Sequence, residues 1–174
     1  MNLYEERKVK QMEQLGVREG EKKKPAKQVN IVSLKMVREK SLLYPERAVR
    51  SLEDGYRLFK QFLGELDWEY FVVMCLDTKN QPTAINICHV GSLNASIVHP
   101  SEVMKAAILS NVASILIGIL IGHNYPWRVP EEPREDVEVT KRLVETGKII
   151  GIDVLDHLVI GDGKYVSLKD KGYI

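Results

Sequence analysis

The amino-acid sequence predicts an α/β sandwich, in which helices flank a curved mixed β-sheet. Short apolar runs of strand length alternate with longer stretches whose apolar residues recur at helical spacing. Clusters of Gly, Pro, Asn and Asp separate these stretches. The strands and helices follow one another in mixed order, which favours helices packed on a mixed sheet.

Composition and charge narrow the class of protein. A chain of 174 residues is long enough for one ordinary domain and an additional arm. Apolar residues at 44% and charged residues at 28% are typical of a soluble globular protein. The net charge of +1 gives no global field that would favour nucleic acid or a membrane. Cys75 and Cys88 fall in predicted strands, where we expect small buried hydrophobic side chains in a reducing compartment.

No feature of the sequence predicts secretion or membrane insertion. The first twenty residues are heavily charged, unlike a signal peptide. The most apolar stretch, Val112–Ile121, has ten residues, too few to cross a bilayer. We therefore expect a cytoplasmic protein with no membrane partner.

The N-terminal part is predicted to be an arm and a linker, residues 1–27, ahead of a domain over residues 28–174. Residues 3–15 are charged with a thin apolar stripe, which indicates an exposed helix. The basic run that ends at Lys27 is either a solvated linker or, less simply, a phosphate-binding arm. Val29–Tyr44 alternates polar and apolar residues, which predicts a strand or a hairpin.

The middle of the chain predicts a helix followed by a β-hairpin. Ser51 is a good N-cap, and Asp54 stands at the capping-box position of a helix over Ser51–Leu66. Glu69–Asp77 is an apolar run of strand length, and Thr83–Val90 is its partner after a turn that ends in Pro82.

The second half predicts two helices and three strands. Pro100 opens a helix over Ser101–Asn111, whose inward residues are predicted to be Val103, Met104, Ala107 and Ile108. Ser114–Ile121 lacks alternation and is predicted to be a strand buried on both faces. It contains a tandem Ile-Leu-Ile-Gly at 115–118 and 119–122. Arg134–Gly147 is a predicted helix with Val137, Thr140 and Val144 inward, and Asp153–Ile160 and Tyr165–Leu168 are the closing strands.

A spaced set of residues follows the tandem repeat. It reads His123-x-Tyr125-x7-Pro133-x2-Asp136. This frame resembles the JAMM signature of the JAB/MPN metallopeptidase-like family, His-x-His-x7-Ser-x2-Asp. Several further segments resemble the RadC-type branch of that family, in a short form without a helix-hairpin-helix module. They are Leu76-Asp77, Gly91–Ser96, Val98–Val103, Arg134–Asp136 and Leu155–Gly163.

The resemblance implies a cytidine-deaminase-like JAB/MPN fold and a zinc hydrolase site. In such a site three protein ligands and a water bind zinc, and a Glu accepts the proton of that water. By position, His123 and Asp136 are metal ligands and Glu69 is the catalytic general base. Tyr125 and Pro133 are degenerate positions, where the family has a second His and a Ser. The phenol of Tyr has a pKa near about 10 and is a poor zinc ligand at neutral pH, and Pro offers neither a hydroxyl nor an N–H donor.

The substitutions leave three hypotheses open. The first is a zinc-dependent amide or isopeptide hydrolase whose catalysis is lost or weakened, acting on a protein or peptide. The second is a non-catalytic MPN-type protein-interaction module. The third is a DNA-repair-associated accessory protein, which the basic Lys22–Lys27 cluster alone favours. Glu131 or Glu132 could replace the missing ligand, and the tandem repeat could displace His123.

Overall fold

The computed structural model describes residues 27–64, 68–91, 98–120, 134–161 and 163–174. The chain divides into two units, residues 1–34 and residues 35–174, and the second unit holds every helix and strand described below. The helix predicted over residues 3–15, the basic cluster and most of the loop that begins at Gly91 lie outside the described residues. The domain boundary placed at residue 27 stays a prediction.

Three helices and five strands make up the described fold. The helices are α1 (Leu52–Leu63), α2 (Pro100–Leu109) and α3 (Arg134–Ile150). The strands are β1 (Tyr70–Leu76), β2 (Pro82–Val90), β3 (Ser114–Leu120), β4 (Asp153–Gly161) and β5 (Lys164–Ser167). Each of these elements was predicted from the sequence, with ends that differ by a few residues.

The strands form one mixed sheet in the order β2-β1-β3-β4-β5. β1 is antiparallel to both of its neighbours, β2 and β3. β3 and β4 are parallel and are joined through α3, and β5 returns antiparallel to β4. A parallel pair needs such a crossover, because the chain must travel back to the end at which the first strand began.

Helices cover both faces of the sheet, so the molecule has three layers. On one face, Val103 of α2 and Leu143 of α3 pack with Phe71, Val73 and Cys75 of β1 in a single core cluster. On the other face, α1 packs on the intervening β1 residues and on β3, through Leu58 and Phe59 among others. Both faces of β1 and β3 are therefore buried, which explains why neither strand alternates in the sequence.

Local chemistry accounts for the start of α1. The Ser51 hydroxyl accepts a hydrogen bond from the backbone N–H of Asp54, and the Asp54 carboxylate accepts one from the N–H of Ser51. This capping box is the one that the sequence predicted. The helix ends earlier than expected, at Leu63, where Gly64 adopts a positive φ of 63° as the C-cap.

Two sequence predictions are wrong. Residues 27–50 contain no strand or helix, although Val29–Tyr44 was predicted to be a strand or hairpin. Ile108 was predicted to point inward, but its side chain is 57% exposed. In α2 the buried positions are Val103, Met104 and Ala107, and Ile108 lies near the C-terminal end of the helix, beside that face.

Within the described residues, no helix is long and apolar enough to cross a membrane.

Candidate functional site

Glu69 immediately precedes β1 and is the one proposed catalytic residue whose side chain the structure describes. It is only 3% exposed. Its backbone carbonyl accepts a hydrogen bond of 2.8 Å from the N–H of Gly91, which fixes the entry to the strand. Side chains alternate along a strand, so Glu69 belongs to the same sheet face as Phe71, the face that α2 and α3 cover. A carboxylate buried at a strand start is unusual enough to suggest a function.

The strand register brings the start of β1 beside the end of β3. Tyr70 is paired with Leu120, and the pairing continues without a shift to Leu76 and Ser114. The first copy of the tandem repeat therefore forms a regular ladder with β1, with no bulge in that ladder. His123 follows Leu120 by three residues, and the segment 121–133, which also holds Tyr125 and Pro133, lies outside the described residues.

α3 begins at the same end of the sheet. The helix starts at Arg134, after β3 has ended, and runs back until Ile150, where β4 starts beside the first residue of β3. Asp136 is the third residue of α3 and precedes Thr140 by four residues, which is about one helical turn. The side chain of Asp136 is not among those described. Glu69, the end of β3 and the start of α3 therefore belong to the same end of the sheet.

A buried polar pair joins α3 to β4 behind this end of the sheet. The Thr140 hydroxyl lies 2.5 Å from Nδ1 of His157, and both side chains are fully buried. The His157 ring contacts the edge of Phe71, with ring centroids 5.7 Å apart. Burial lowers the pKa of His157 to about 3, so this imidazole is neutral at physiological pH. Its Nε2 has no hydrogen-bond partner within the described part of the chain.

Asp156 organises the polar atoms at the β4–β5 edge. Its carboxylate accepts hydrogen bonds from the backbone N–H of His157 at 2.6 Å, the Ser167 hydroxyl at 2.6 Å and the backbone N–H of Lys169 at 3.1 Å. The side chain is fully buried. These three hydrogen bonds offset the free-energy cost of removing the carboxylate from water. Thr140 was predicted from the sequence to face inward, and it is buried. No role was predicted for Asp156, although an acid inside an apolar strand was a visible signal.

The two cysteines are thiols in apolar surroundings. Both are free, Cys75 is buried and Cys88 is partly buried. Desolvation raises the pKa of Cys88 to about 11, against a weaker opposing contact from Asn86, and it also raises the pKa of Cys75. A thiol with a raised pKa is a poor nucleophile and a poor metal ligand. Their expected role as small apolar side chains fits this environment.

Among the described residues, no group of three or more His, Cys, Asp or Glu side chains is arranged to hold a metal ion. Because His123 and the Asp136 side chain fall outside the description, their assignment as ligands stays a prediction. The same holds for the degenerate positions Tyr125 and Pro133, and for Glu131 and Glu132 as replacements.

The architecture and the buried acid at the β3–α3 end define the class of protein. It is an α/β domain with a five-stranded mixed sheet and three flanking helices, as in JAB/MPN domains. The model of the RadC-like JAB domain matches residues 49–173. The chain belongs to the RadC-like JAB domain family.

Curated relatives in archaea and bacteria agree with this assignment. A UPF0758 protein of Methanosarcina barkeri is 50% identical over 130 residues, which are 75% of this chain and 55% of the relative. One from Methanococcoides burtonii is 45% identical over 153 residues, 86% of this chain and 65% of the relative. One from a Geobacillus species is 52% identical over 126 residues, 72% of this chain and 54% of the relative. The chain thus spans little more than half the length of most of these relatives.

Proposed function

We propose that this chain is a RadC-like JAB domain that keeps the frame of a zinc hydrolase site but has lost or weakened the hydrolysis of amide or isopeptide bonds. The observation that carries the proposal is the burial of Glu69 where β1 starts beside the end of β3. A general base must lie within hydrogen-bond reach of the water that it deprotonates. In the sequence, His123 follows Leu120 by three residues, and Leu120 is the pairing partner of Tyr70, the residue after Glu69.

The helix that follows supports the same location. In the family frame Asp136 is the carboxylate ligand, and its position in the first turn of α3 lies at the end of the sheet where β3 ends. Site residues that come from separate segments and meet at one edge are typical of a functional site.

The donor set of this chain does not fit zinc. Catalytic zinc has three protein ligands and one open position for water. His123 and Asp136 would provide two, and the third position is Tyr125. A tyrosine phenol, with an ordinary pKa of about 10, is a poor zinc ligand at neutral pH. Pro133 also removes the hydroxyl that would stabilise a tetrahedral intermediate. We therefore derive no catalytic step through the metal for this sequence.

Zinc titration tests the proposal. Isothermal titration of the unmodified chain should show weak or no zinc binding, and Tyr125→His should bind zinc much more tightly because it restores a third ligand. Lys79→His is the matched control, because it adds an imidazole in the exposed turn after β1, at the opposite end of the sheet. Asp136→Asn in the Tyr125→His background should remove the gain.

Two results would contradict the proposal. If the unmodified chain binds one zinc tightly, another residue completes the site. Glu131 and Glu132 are then the first candidates for that ligand and the first residues to mutate. If Lys79→His raises the zinc affinity as much as Tyr125→His does, the higher affinity does not depend on the motif positions around Tyr125.

A non-catalytic protein-interaction module is the second candidate function. A specific observation favours it: large apolar side chains between Val29 and Leu43 are exposed to solvent. Exposed apolar runs of this kind mark interaction surfaces. A chain that binds no zinc, fails to gain zinc with Tyr125→His and still forms a specific protein complex would favour this function over the first.

A further inference from the structure

The exposed apolar segment from Val29 to Val37 is not part of the proposed zinc site. We propose that this segment pairs as an added β-strand with the open edge of β2 in a second copy of the chain. The exchange is reciprocal, so two copies form a symmetric dimer. The proposal is independent of whether the hydrolase frame binds metal.

The donor segment has the pattern of a strand, and no described strand pairs with it. Five large aliphatic side chains in nine residues are between 74% and 102% exposed: Val29, Ile31, Val32, Leu34 and Val37. In an extended conformation Val32, Leu34 and Met36 would share one face, because side chains alternate. Natural sequences seldom leave so much aliphatic surface in water without a binding partner.

The acceptor is the edge of β2. β2 is the first strand in the sheet order, and no described strand pairs with its outer side. The face that it shares with α1 carries Ile85, Ile87 and Val90, opposite Met74, Val72 and Tyr70 of β1. Ile87 is 40% exposed and Val90 is 49% exposed. No Lys, Arg, Asp or Glu occurs in β2, so the edge lacks the charges that usually prevent strand addition.

The two partners match in length and in pattern. The donor segment and β2 each have nine residues. Each offers three apolar side chains to one sheet face, so an added strand would extend the apolar stripe of β2 by a second row. The other sheet edge is a poorer acceptor, because β5 has only four residues and its last residue, Ser167, is already buried.

The chain itself points to a second copy as the occupant. It supplies both the strand and the edge, and the C-terminal end of the donor and the residues after it are held to the domain. The Ser110 hydroxyl lies 3.4 Å from Sδ of Met36, and the Gln61 side-chain amide donates to the carbonyl of Leu43 at 3.2 Å. In a reciprocal exchange, a two-fold axis relates the two copies, and the segment of each copy pairs with the β2 edge of the other.

Sedimentation and complementation test the exchange with the full chain. We expect the unmodified protein to be a dimer. Leu34→Lys in the donor and Ile87→Lys in the edge should each raise the dimer Kd at least about tenfold, a change of about 1.4 kcal/mol. Ile149→Lys is the matched control, because Ile149 is 84% exposed on α3 and belongs to neither partner; its dimer should be unchanged.

Mixing the two variants separates an exchange from other kinds of association. In a mixed dimer, the intact donor of the Ile87→Lys chain meets the intact edge of the Leu34→Lys chain. One of the two strand pairs is then restored, whatever the exact register. We expect a heterodimer in the mixture where each variant alone is monomeric. Leu34→Ser and Ile87→Thr replace the lysine variants if circular dichroism shows that those do not fold.

Three outcomes overturn the proposal. The first is an unmodified chain that stays monomeric at every concentration. The second is a dimer that neither variant weakens. The third is a monomer whose β2 amides are protected from hydrogen exchange until Leu34 is replaced, which would show that the segment pairs with its own β2.

Discussion

Thr140 of α3 places its hydroxyl 2.5 Å from Nδ1 of His157 in β4, and both residues are completely buried. The pair joins the crossover helix to the strand that it leads into. It lies one helical turn from Asp136 and in contact with Phe71, two residues from Glu69. The polar pair thus supports the two elements that carry the proposed site.

The pH dependence of stability should report His157. Burial holds its pKa at about 3 in the folded protein, below the ordinary 6.5 of the unfolded chain. The stabilisation is therefore complete above pH 6.5 and is lost as pH falls toward 3, because the unfolded chain takes up the proton first. The slope should approach about 1.4 kcal/mol per pH unit from this group. Urea denaturation between pH 7 and pH 4 should show a shallower slope for His157→Gln than for the unmodified chain, and equal slopes would contradict the assignment.

Asp156 should be essential for stability. Asp156→Asn removes the negative charge that accepts three hydrogen bonds. Hydrogen bonds to charged groups are worth roughly 1.5–3 kcal/mol each. We expect the free energy of unfolding to fall by at least about 1.5–3 kcal/mol. Asp153→Asn is the control in the same strand, because Asp153 is exposed and should change stability by less than about 0.5 kcal/mol. A similar loss for the two variants would show that the buried network is not the cause.

Gly118 should be required for the close contact between β3 and α1. A Cβ at this position would lie 3.0 Å from Cε2 of Phe59 and 3.1 Å from two other ring atoms. Gly118→Ala should destabilise the fold by about 1–3 kcal/mol, the range for an overpacked core. If the clash with the ring is the reason, part of this loss should disappear when Gly118→Ala is made in a Phe59→Leu background. Thermal unfolding of the four proteins in a double-mutant cycle measures that coupling, and strictly additive losses would exclude it.

Elements with strong local signals could be predicted from the sequence, and contacts between distant elements could not. The capping box of Ser51 and Asp54 and the hairpin before Pro82 depend on neighbouring residues, and both were found. The alternation of Val29–Tyr44 is also local, but a strand needs a partner to pair with, and residues 27–50 pair with no described strand.

The site shows the same limit. The family resemblance selected Glu69, His123 and Asp136, but it could not show that Tyr70 pairs with Leu120 or that Glu69 is buried. The contact between Thr140 and His157 depends on the parallel placement of β4 beside β3. No pattern within either segment predicts that placement.

Restoration of hydrolysis tests the central claim most directly. One oxyanion donor is worth roughly 2.7–4 kcal/mol in comparable sites, so Tyr125→His alone should remain inactive. The double variant Tyr125→His with Pro133→Ser should gain zinc-dependent cleavage on a panel of peptide and isopeptide substrates. Adding Glu69→Gln should abolish that gain. The account predicts that turnover by the unmodified chain is absent or far slower than turnover by the double variant. It would be contradicted by zinc-dependent turnover of the unmodified chain that is as fast as that of the double variant and that Glu69→Gln and His123→Ala both remove.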